Sequence, residues 1–135
     1  MMKLLSSGPS PYVRKVRITL AVKGCTDQVE LIAPDAKNID ELRAGNPVGK
    51  IPVLLLDDGT AIFDSQVICE YLDATYAGPT LFPGVEDGRW ETLTLGAMAD
   101  GILDAALLLV YEGRYRPAEH RVESWVDMQS GKIDG

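Results

Sequence analysis

The most informative segment of this sequence is Asn46-Pro47-Val48-Gly49-Lys50-Ile51-Pro52-Val53-Leu54-Leu55-Leu56, which is followed closely by Phe63-Asp64-Ser65. A proline has no N–H to offer a neighbouring strand, so Pro52 fits the first residue of a strand or a turn. The Ile51–Pro52 bond is also of the only kind that adopts the cis form at low cost. A cis bond there would leave the backbone N–H and C=O of Val53 free for a peptide-like guest.

Asp64 and Ser65 stand where the next helix is expected to begin. The free N–H groups in the first turn of a helix, together with the helix dipole, form a site for anions. The two segments together predict a binding site for a small peptide that carries a carboxylate.

Composition limits the class of protein. The chain has 135 residues, 46% of them hydrophobic, and a net charge of −7. This is enough apolar material for one domain, or for a small domain with part of a second, and too much for a disordered chain. The negative charge disfavours nucleic acid as a partner.

The sequence predicts a cytoplasmic protein without a metal site. Cys25 and Cys69 have neither CxxC spacing nor a histidine cluster near them, which favours a reducing compartment and disfavours metal binding. The N-terminal segment Met1-Met2-Lys3-Leu4-Leu5-Ser6 is too short to provide the apolar region of a signal peptide. The longest apolar run, Ala105 to Tyr111, is too short to cross a bilayer, so no membrane association is expected.

Hydrophobic periodicity predicts the order β-α-β-α-β-β-α, followed by two helices. A hairpin is expected around Asp57-Asp58-Gly59, and the apolar run after Pro52 is typical of a strand buried on both faces. In the third helix, Val67, Ile68, Tyr71 and Leu72 are expected to face inward. The predicted strands are 3–5, 29–32, 53–56 and 61–63, and the predicted helices are 11–23, 40–44, 65–76, 89–112 and 117–132.

Four motifs in this order resemble the cytosolic glutathione transferases, especially the bacterial branch. They are Ser-Pro-Tyr-Val-Arg-Lys (10–15), Asn-Pro-Val-Gly-Lys-Ile-Pro-Val-Leu (46–54), Phe-Asp-Ser-Gln-Val-Ile-Cys-Glu-Tyr-Leu (63–72) and Ala-Asp-Gly-Ile-Leu-Asp-Ala (99–105). The resemblance implies an α/β fold with a thioredoxin-like, glutathione-binding domain over 1–77 and a linker over 78–88. Residues 89–135 would be the first two helices of an incomplete all-α domain, because family members normally carry several more helices.

The resemblance implies that Ser10 is the catalytic residue. A free thiol has a pKa near ~8.5, so a hydroxyl donor at a helix start would help to keep bound glutathione as the thiolate. Ser10 is also a natural helix cap, and both roles can coexist. Ser6, Ser7 and Tyr12 are neighbouring hydroxyls that could replace it.

The resemblance also implies the residues that bind glutathione. Val53 would pair with the cysteinyl backbone, Asp64 with the γ-glutamyl amine and Ser65 with its carboxylate, whereas plain helix capping would explain the last two equally well. Lys50 would contact the glycyl end or remain solvated. The full set is Lys50, Ile51, Pro52, Val53, Asp64 and Ser65.

The function that the resemblance implies is transfer of glutathione to an electrophile, typical of detoxification, by a homodimer with no metal. The alternatives are a glutathione-dependent disulfide reductase and a non-catalytic glutathione-binding module. Position 10 carries no cysteine, so disulfide chemistry would have to run through glutathione itself. Asp100 and Asp104, four residues apart, could be a carboxylate pair, a solvated face or a dimer-interface contact to the glutathione amine. His120 is the only histidine, so no Ser-His-Asp triad is possible.

Overall fold

The computed structural model describes residues 1–34 and 39–135. The chain divides into two compact units, Met1–Pro83 and Gly84–Gly135. The domain limits expected from the sequence, 1–77 and 89–135 with a linker between them, remain predictions.

The first unit has the predicted β-α-β-α-β-β-α order and the mixed four-stranded sheet of a thioredoxin-like domain. Its boundaries differ from the sequence prediction by one residue at most. The strands are β1 (Met2–Leu5), β2 (Val29–Ile32), β3 (Val53–Leu55) and β4 (Ala61–Ile62), and the helices are α1 (Pro11–Val22), α2 (Ile39–Gly45) and α3 (Ser65–Thr75).

The sheet has the strand order β2-β1-β3-β4. β1 runs parallel to β2 and antiparallel to β3, and β4 runs antiparallel to β3. A hairpin joins the last two strands, as predicted. Within it Gly59 has a φ of +87°, and the N–H of Thr60 donates to Oδ1 of Asp58 at 2.8 Å. That hydrogen bond lowers the pKa of Asp58.

The sheet is buried on both faces at its centre. Val53 and Leu54 are successive residues of β3, so their side chains point to opposite faces, and both are fully buried. Leu54 joins the main core, which includes Leu4 and Val16. On the other face α2 ends against Val53, where a Cβ added to Gly45 would lie 3.1 Å from its Cγ1. A strand buried on both faces was the sequence prediction, and these residues confirm it.

Helices α1 and α3 pack side by side and run in the same direction. Nζ of Lys15 donates to Oε1 of Gln66 at 3.0 Å, and one turn further on the Thr19 hydroxyl lies 3.2 Å from Sγ of Cys69. One more turn along, Lys23 meets Asp73. In α3 the expected inward residues Ile68 and Leu72 are buried, but Val67 is half exposed, and its predicted burial is wrong. Cys69 fills the face that contacts α1 instead.

The second unit consists of two packed helices, α4 (Arg89–Tyr115) and α5 (Glu123–Asp134). The sequence prediction started the second helix at Pro117, six residues too early. Arg121 occupies the connection, and its guanidinium donates to the carbonyls of Gly113 and Arg116 at the end of α4. The chain must reverse direction here, so a short 3-10 turn over Ala118–His120 precedes α5.

Helix α4 is long and apolar enough to cross a membrane by length and composition. This corrects the estimate made from the run Ala105 to Tyr111 alone, because small and apolar residues continue on both sides of that run. Core helices of soluble proteins have the same length and composition, and intramembrane aspartates such as Asp100 and Asp104 are costly. Large apolar side chains of α4, including Trp90, Leu95 and Met98, are exposed.

Candidate functional site

The fold gathers the predicted site residues at one end of the sheet. β1 finishes at Leu5, which is paired with Val53 at the start of β3, and β4 finishes opposite Leu54. The chain leaves β1 and β4 at this end and enters α1 and α3, so both helices begin here. We call this end of the sheet the binding end; the predicted residues there are Ser10, Lys50, Ile51, Pro52, Val53, Asp64 and Ser65.

Ser10 caps α1. Its Oγ accepts from the N–H of Val13 at 3.3 Å, and Pro11 follows at the first helical position. The cap uses a lone pair of the hydroxyl oxygen and leaves its proton available to a further acceptor. The geometry is therefore compatible with capping and thiolate stabilisation at the same time. Of the neighbouring hydroxyls, Ser6 is buried and Tyr12 is half buried.

The start of α3 offers a carboxylate beside a helix N-terminus. Asp64 is the N-cap, and its Oδ1 accepts from the N–H of Gln66 at 3.0 Å. The Asp64 side chain is exposed, whereas Ser65 is buried. The Asp64 carboxylate partly offsets the positive end of the α3 dipole, whereas α1 is capped by the neutral Ser10 and has no acidic residue in its first turn.

Asn46 organises the loop that leads into β3, and the sequence reasoning gave it no role. Its buried side chain donates from Nδ2 to the carbonyl of Lys50 at 2.8 Å and accepts at Oδ1 from the N–H of Val48 at 3.0 Å. Gly49 closes the turn with a φ of +69°. The Asn-Pro pair was the available signal, because asparagine followed by proline favours a turn.

The residues between this loop and β3 differ in exposure. Pro52 and Val53 are buried, Ile51 is half buried, and the Lys50 side chain is exposed. The Ile51–Pro52 and Phe63–Asp64 peptide bonds are both cis. Because the Val53 side chain is fully buried, its backbone is what β3 can present at the binding end.

A buried ion pair closes the opposite end of the two helices and was not predicted. Nζ of Lys23 lies 2.9 Å from Oδ1 of Asp73 and donates to the Pro79 carbonyl at 3.1 Å. The N–H groups of Leu81 and Phe82 donate to the two oxygens of Asp73. Burial alone would raise the pKa of Asp73, but these hydrogen bonds outweigh it, and the net pKa is lowered. The cluster fastens residues 79–82 to α1 and α3.

Neither cysteine lies at the N-terminus of α1 or of α3. Cys25 and Cys69 are both buried, and burial raises the pKa of the Cys25 thiol. In α4 Asp100 is half buried and Asp104 exposed, and both make further interactions. Among residues 1–34 and 39–135, no three His, Cys, Asp or Glu side chains are grouped so that they could hold a metal ion.

Comparisons with known proteins agree with this architecture. Residues 9–75 match the sequence profile of the glutathione S-transferase N-terminal domain. The chain is 38% identical over 134 residues to the uncharacterized GST-like protein YibF of Escherichia coli K12, covering 98% of this chain and 65% of that protein. It is 36% identical over 83 residues to a stringent starvation protein A homolog of Pasteurella multocida, covering 62% of this chain and 38% of that protein.

Among solved structures, a glutathione transferase family member from Pseudomonas fluorescens Pf-5 with bound glutathione superimposes with a TM-score of 0.93. The two sequences are 42% identical, and the match covers 99% of this chain and 67% of that one. The chain thus spans about two thirds of the length of this structure, and its matches cover 65% of YibF and 38% of the stringent starvation protein A homolog. The matched part includes every residue of the binding end.

Proposed function

Because the chain belongs to the glutathione S-transferase family, we propose that its binding end holds glutathione and activates the glutathione thiol. The observation that carries this proposal is the meeting of three elements at one end of the sheet: the N-terminus of α1, the N-terminus of α3 and the start of β3. Each offers a different kind of group, and glutathione has a matching part for each.

The backbone of Val53 would pair with the cysteinyl residue of glutathione, which is itself peptide-like. The buried Ser65 and the first N–H groups of α3 would bind the γ-glutamyl carboxylate, because a helix N-terminus favours an anion. The exposed carboxylate of Asp64 would bind the γ-glutamyl ammonium. Ile51 and Pro52 would form the wall beside the peptide, and Lys50 would attract the glycyl carboxylate.

Ser10 would act on the sulfur. A hydroxyl that donates to the thiolate, at the positive end of α1, stabilises the anion and lowers the pKa of the bound thiol. The thiolate would then attack an electrophilic carbon, forming a C–S bond as the leaving group departs with its electron pair. The thiol proton passes to solvent. The reaction as proposed needs no metal.

The proposal is tested by calorimetric titration with glutathione, followed by a conjugation assay with chlorodinitrobenzene. Saturable binding and turnover above the uncatalysed rate are expected. A separate assay with a glutathionylated peptide measures disulfide reduction, in which bound glutathione rather than a protein thiol would attack the mixed disulfide. Glutathione that fails to bind at millimolar concentration would overturn the assignment of the binding end.

A second candidate function is glutathione binding without turnover. It is favoured by the match to a stringent starvation protein A homolog, a relative whose name does not describe a transferase. Glutathione binding combined with uncatalysed rates in both assays would identify this function. The two candidate functions use the same binding end and differ only in whether the sulfur of bound glutathione reacts with a second substrate.

We also propose a cytoplasmic homodimer. The exposed apolar side chains of α4 support association, since contiguous apolar surface on a protein commonly marks an interface. Light scattering after size exclusion would then give twice the chain mass of 14.7 kDa. A monomer at micromolar concentration would contradict the dimer without affecting the assignment of the binding end.

A further inference from the structure

A groove of about 500 Å³ lies away from the binding residues, between α1 and the outer edge of β2. One wall is the face of α1 that carries Arg14, Arg17 and Ile18, and the floor is formed by Val29 and Leu31 of β2. We call it the α1–β2 groove. Among residues 1–34 and 39–135, none of those that line it is acidic.

The groove is apolar and open. Ile18 is 56% exposed and Leu31 is 48% exposed, although the two are close enough to line the same cavity. Val29, two residues before Leu31, is buried under α1. Apolar side chains that border a concave surface and stay in water favour an occupant with apolar groups of its own.

The floor of the groove is a strand edge that can accept another strand. β2 pairs only with β1, and no strand among the described residues lies on its outer side. The carbonyl of Ile32 accepts from the N–H of Ser6, so the polar groups of Ile32 face β1. Backbone polar groups alternate in direction along a strand, so those of Leu31 point to the outer edge.

The wall of the groove is positively charged on a chain whose net charge is −7. Arg14 and Arg17 are one helical turn apart on one face of α1, and both are exposed. Neither guanidinium forms an ion pair or side-chain hydrogen bond within residues 1–34 and 39–135. Two arginines with no charged partner in the described part of the chain, above a strand edge left open by that same part, complement carboxylates on an extended segment.

We infer that the α1–β2 groove binds an extended acidic segment of a partner protein, which adds to the sheet as a strand beside β2. The backbone of the segment pairs with Leu31. On the side that faces α1, apolar side chains cover Ile18 and Leu31, and two carboxylates meet Arg14 and Arg17. Alternate residues of a strand are about 6.6 Å apart, a spacing that two long arginine side chains one turn apart can reach.

The probe is an end-capped fluorescent peptide, Thr-Val-Thr-Glu-Thr-Glu-Thr-Val, titrated against the full chain. Saturable binding with a Kd below 1 mM is expected, together with slower hydrogen exchange at the Leu31 amide. The matched peptide with Gln in place of both Glu is less negative, so it would bind better if only net charge mattered. The groove predicts weaker binding of the Gln peptide, by about tenfold.

Charge variants distinguish a contact with the arginines of the groove from an effect of the protein's net charge. The double variant Arg14→Gln/Arg17→Gln is expected to bind the Glu peptide about tenfold more weakly and to bind the Gln peptide with unchanged affinity. Arg43→Gln on α2 removes an exposed arginine elsewhere and is expected to change the affinity less than twofold. Equal loss in the double variant and in Arg43→Gln would overturn the inference.

Strand addition is tested on the unmodified protein, so a folding defect cannot obscure the result. Two peptides are prepared, one methylated at the odd-numbered amide nitrogens and the other at the even-numbered ones. A strand presents alternate N–H groups to its neighbour, so one peptide should lose binding and the other should retain it. The same affinity for both peptides, or a parent peptide that does not saturate below 1 mM, contradicts the proposal.

Discussion

Lys23 and Asp73 form a buried ion pair between α1 and α3, with Nζ and Oδ1 2.9 Å apart and the side chains only 3% and 7% exposed. The same carboxylate accepts the N–H groups of Leu81 and Phe82, and the same ammonium donates to the Pro79 carbonyl. Every polar atom of the pair is thereby committed, as a buried charge requires.

Removing one member of this pair should be costly. Asp73→Asn leaves the Lys23 ammonium buried without its counter-charge, and we expect the free energy of unfolding to fall by about 3 kcal/mol. Urea titration measures the loss. The control is Asp27→Asn, at an exposed position, for which the free energy of unfolding should fall by less than about 0.5 kcal/mol. Equal values for the two variants would show that the pair contributes nothing net.

The same pair predicts how stability depends on pH. The folded pKa of Asp73 is lowered relative to the unfolded chain. Its contribution is therefore fully present above the unfolded pKa of about 3.9 and is lost as pH falls through the folded value. The stability difference between the native sequence and Asp73→Asn should be constant near neutral pH and should narrow below about pH 4. Urea titrations over this pH range test it.

Asp64→Asn separates helix capping from ligand binding. Asparagine caps a helix about as well as aspartate, so the stability should change by less than about 0.5 kcal/mol. The proposed contact with the glutathione ammonium loses its charge, and the affinity should fall about tenfold or more. Calorimetry with glutathione measures the affinity. Unchanged affinity would leave Asp64 with capping as its only role.

Ser10→Ala should change the pKa of the bound glutathione thiol more than it changes the affinity for glutathione. We expect the pKa of bound glutathione to rise, because the hydroxyl donor is lost while the helix N-terminus remains. Ultraviolet absorbance of the thiolate, titrated against pH, measures this pKa. Loss of the cap also lowers stability by about 1 kcal/mol. Ser7→Ala serves as the control, and identical titrations for Ser10→Ala and the unmodified protein would point to another group.

Asn46→Ala should weaken glutathione binding through the backbone. The change removes the hydrogen bonds that hold Lys50 and Val48, so the approach to Val53 is no longer fixed. We expect an affinity loss of about tenfold and a stability loss of about 1–3 kcal/mol. Asn46→Asp puts a buried carboxylate oxygen against the Lys50 carbonyl in place of the Nδ2 donor, so its losses of affinity and stability should be at least as large as those of Asn46→Ala. Full affinity in Asn46→Ala would contradict the role of this loop.

Much of the first unit could be predicted from the sequence because its signals are local. Helix caps such as Ser10, the Asp57-Asp58-Gly59 turn and the apolar run at Val53 each depend on a few neighbouring residues. Their positions at one end of the sheet follow from the strand order β2-β1-β3-β4, which only the structure shows. Their roles in binding remain predictions that the experiments above address.

The missed features depend on residues far apart in the chain. Lys23 and Asp73 are separated by 50 positions, and each alone is typical of a solvated helix face. Val67 belongs to the apolar stripe of α3 in the sequence. Only the side of that stripe that contacts α1 is buried, and Cys69 rather than Val67 lies on that side. The start of α5 was misplaced because Arg121 uses its side chain to finish α4, which periodicity cannot detect.

The parallel arrangement of α1 and α3 makes the residue at position 10 exchangeable. Of the three polar contacts described between the helices, the nearest to Ser10 is that of Lys15 with Gln66, more than a turn beyond it, so the side chain at the helix start can change without disturbing these contacts. A cysteine placed there would sit in the same dipole, and its own thiolate would compete with that of glutathione. On the proposed function, Ser10→Cys should therefore shift the protein from attack on electrophiles by bound glutathione to disulfide exchange through its own thiolate.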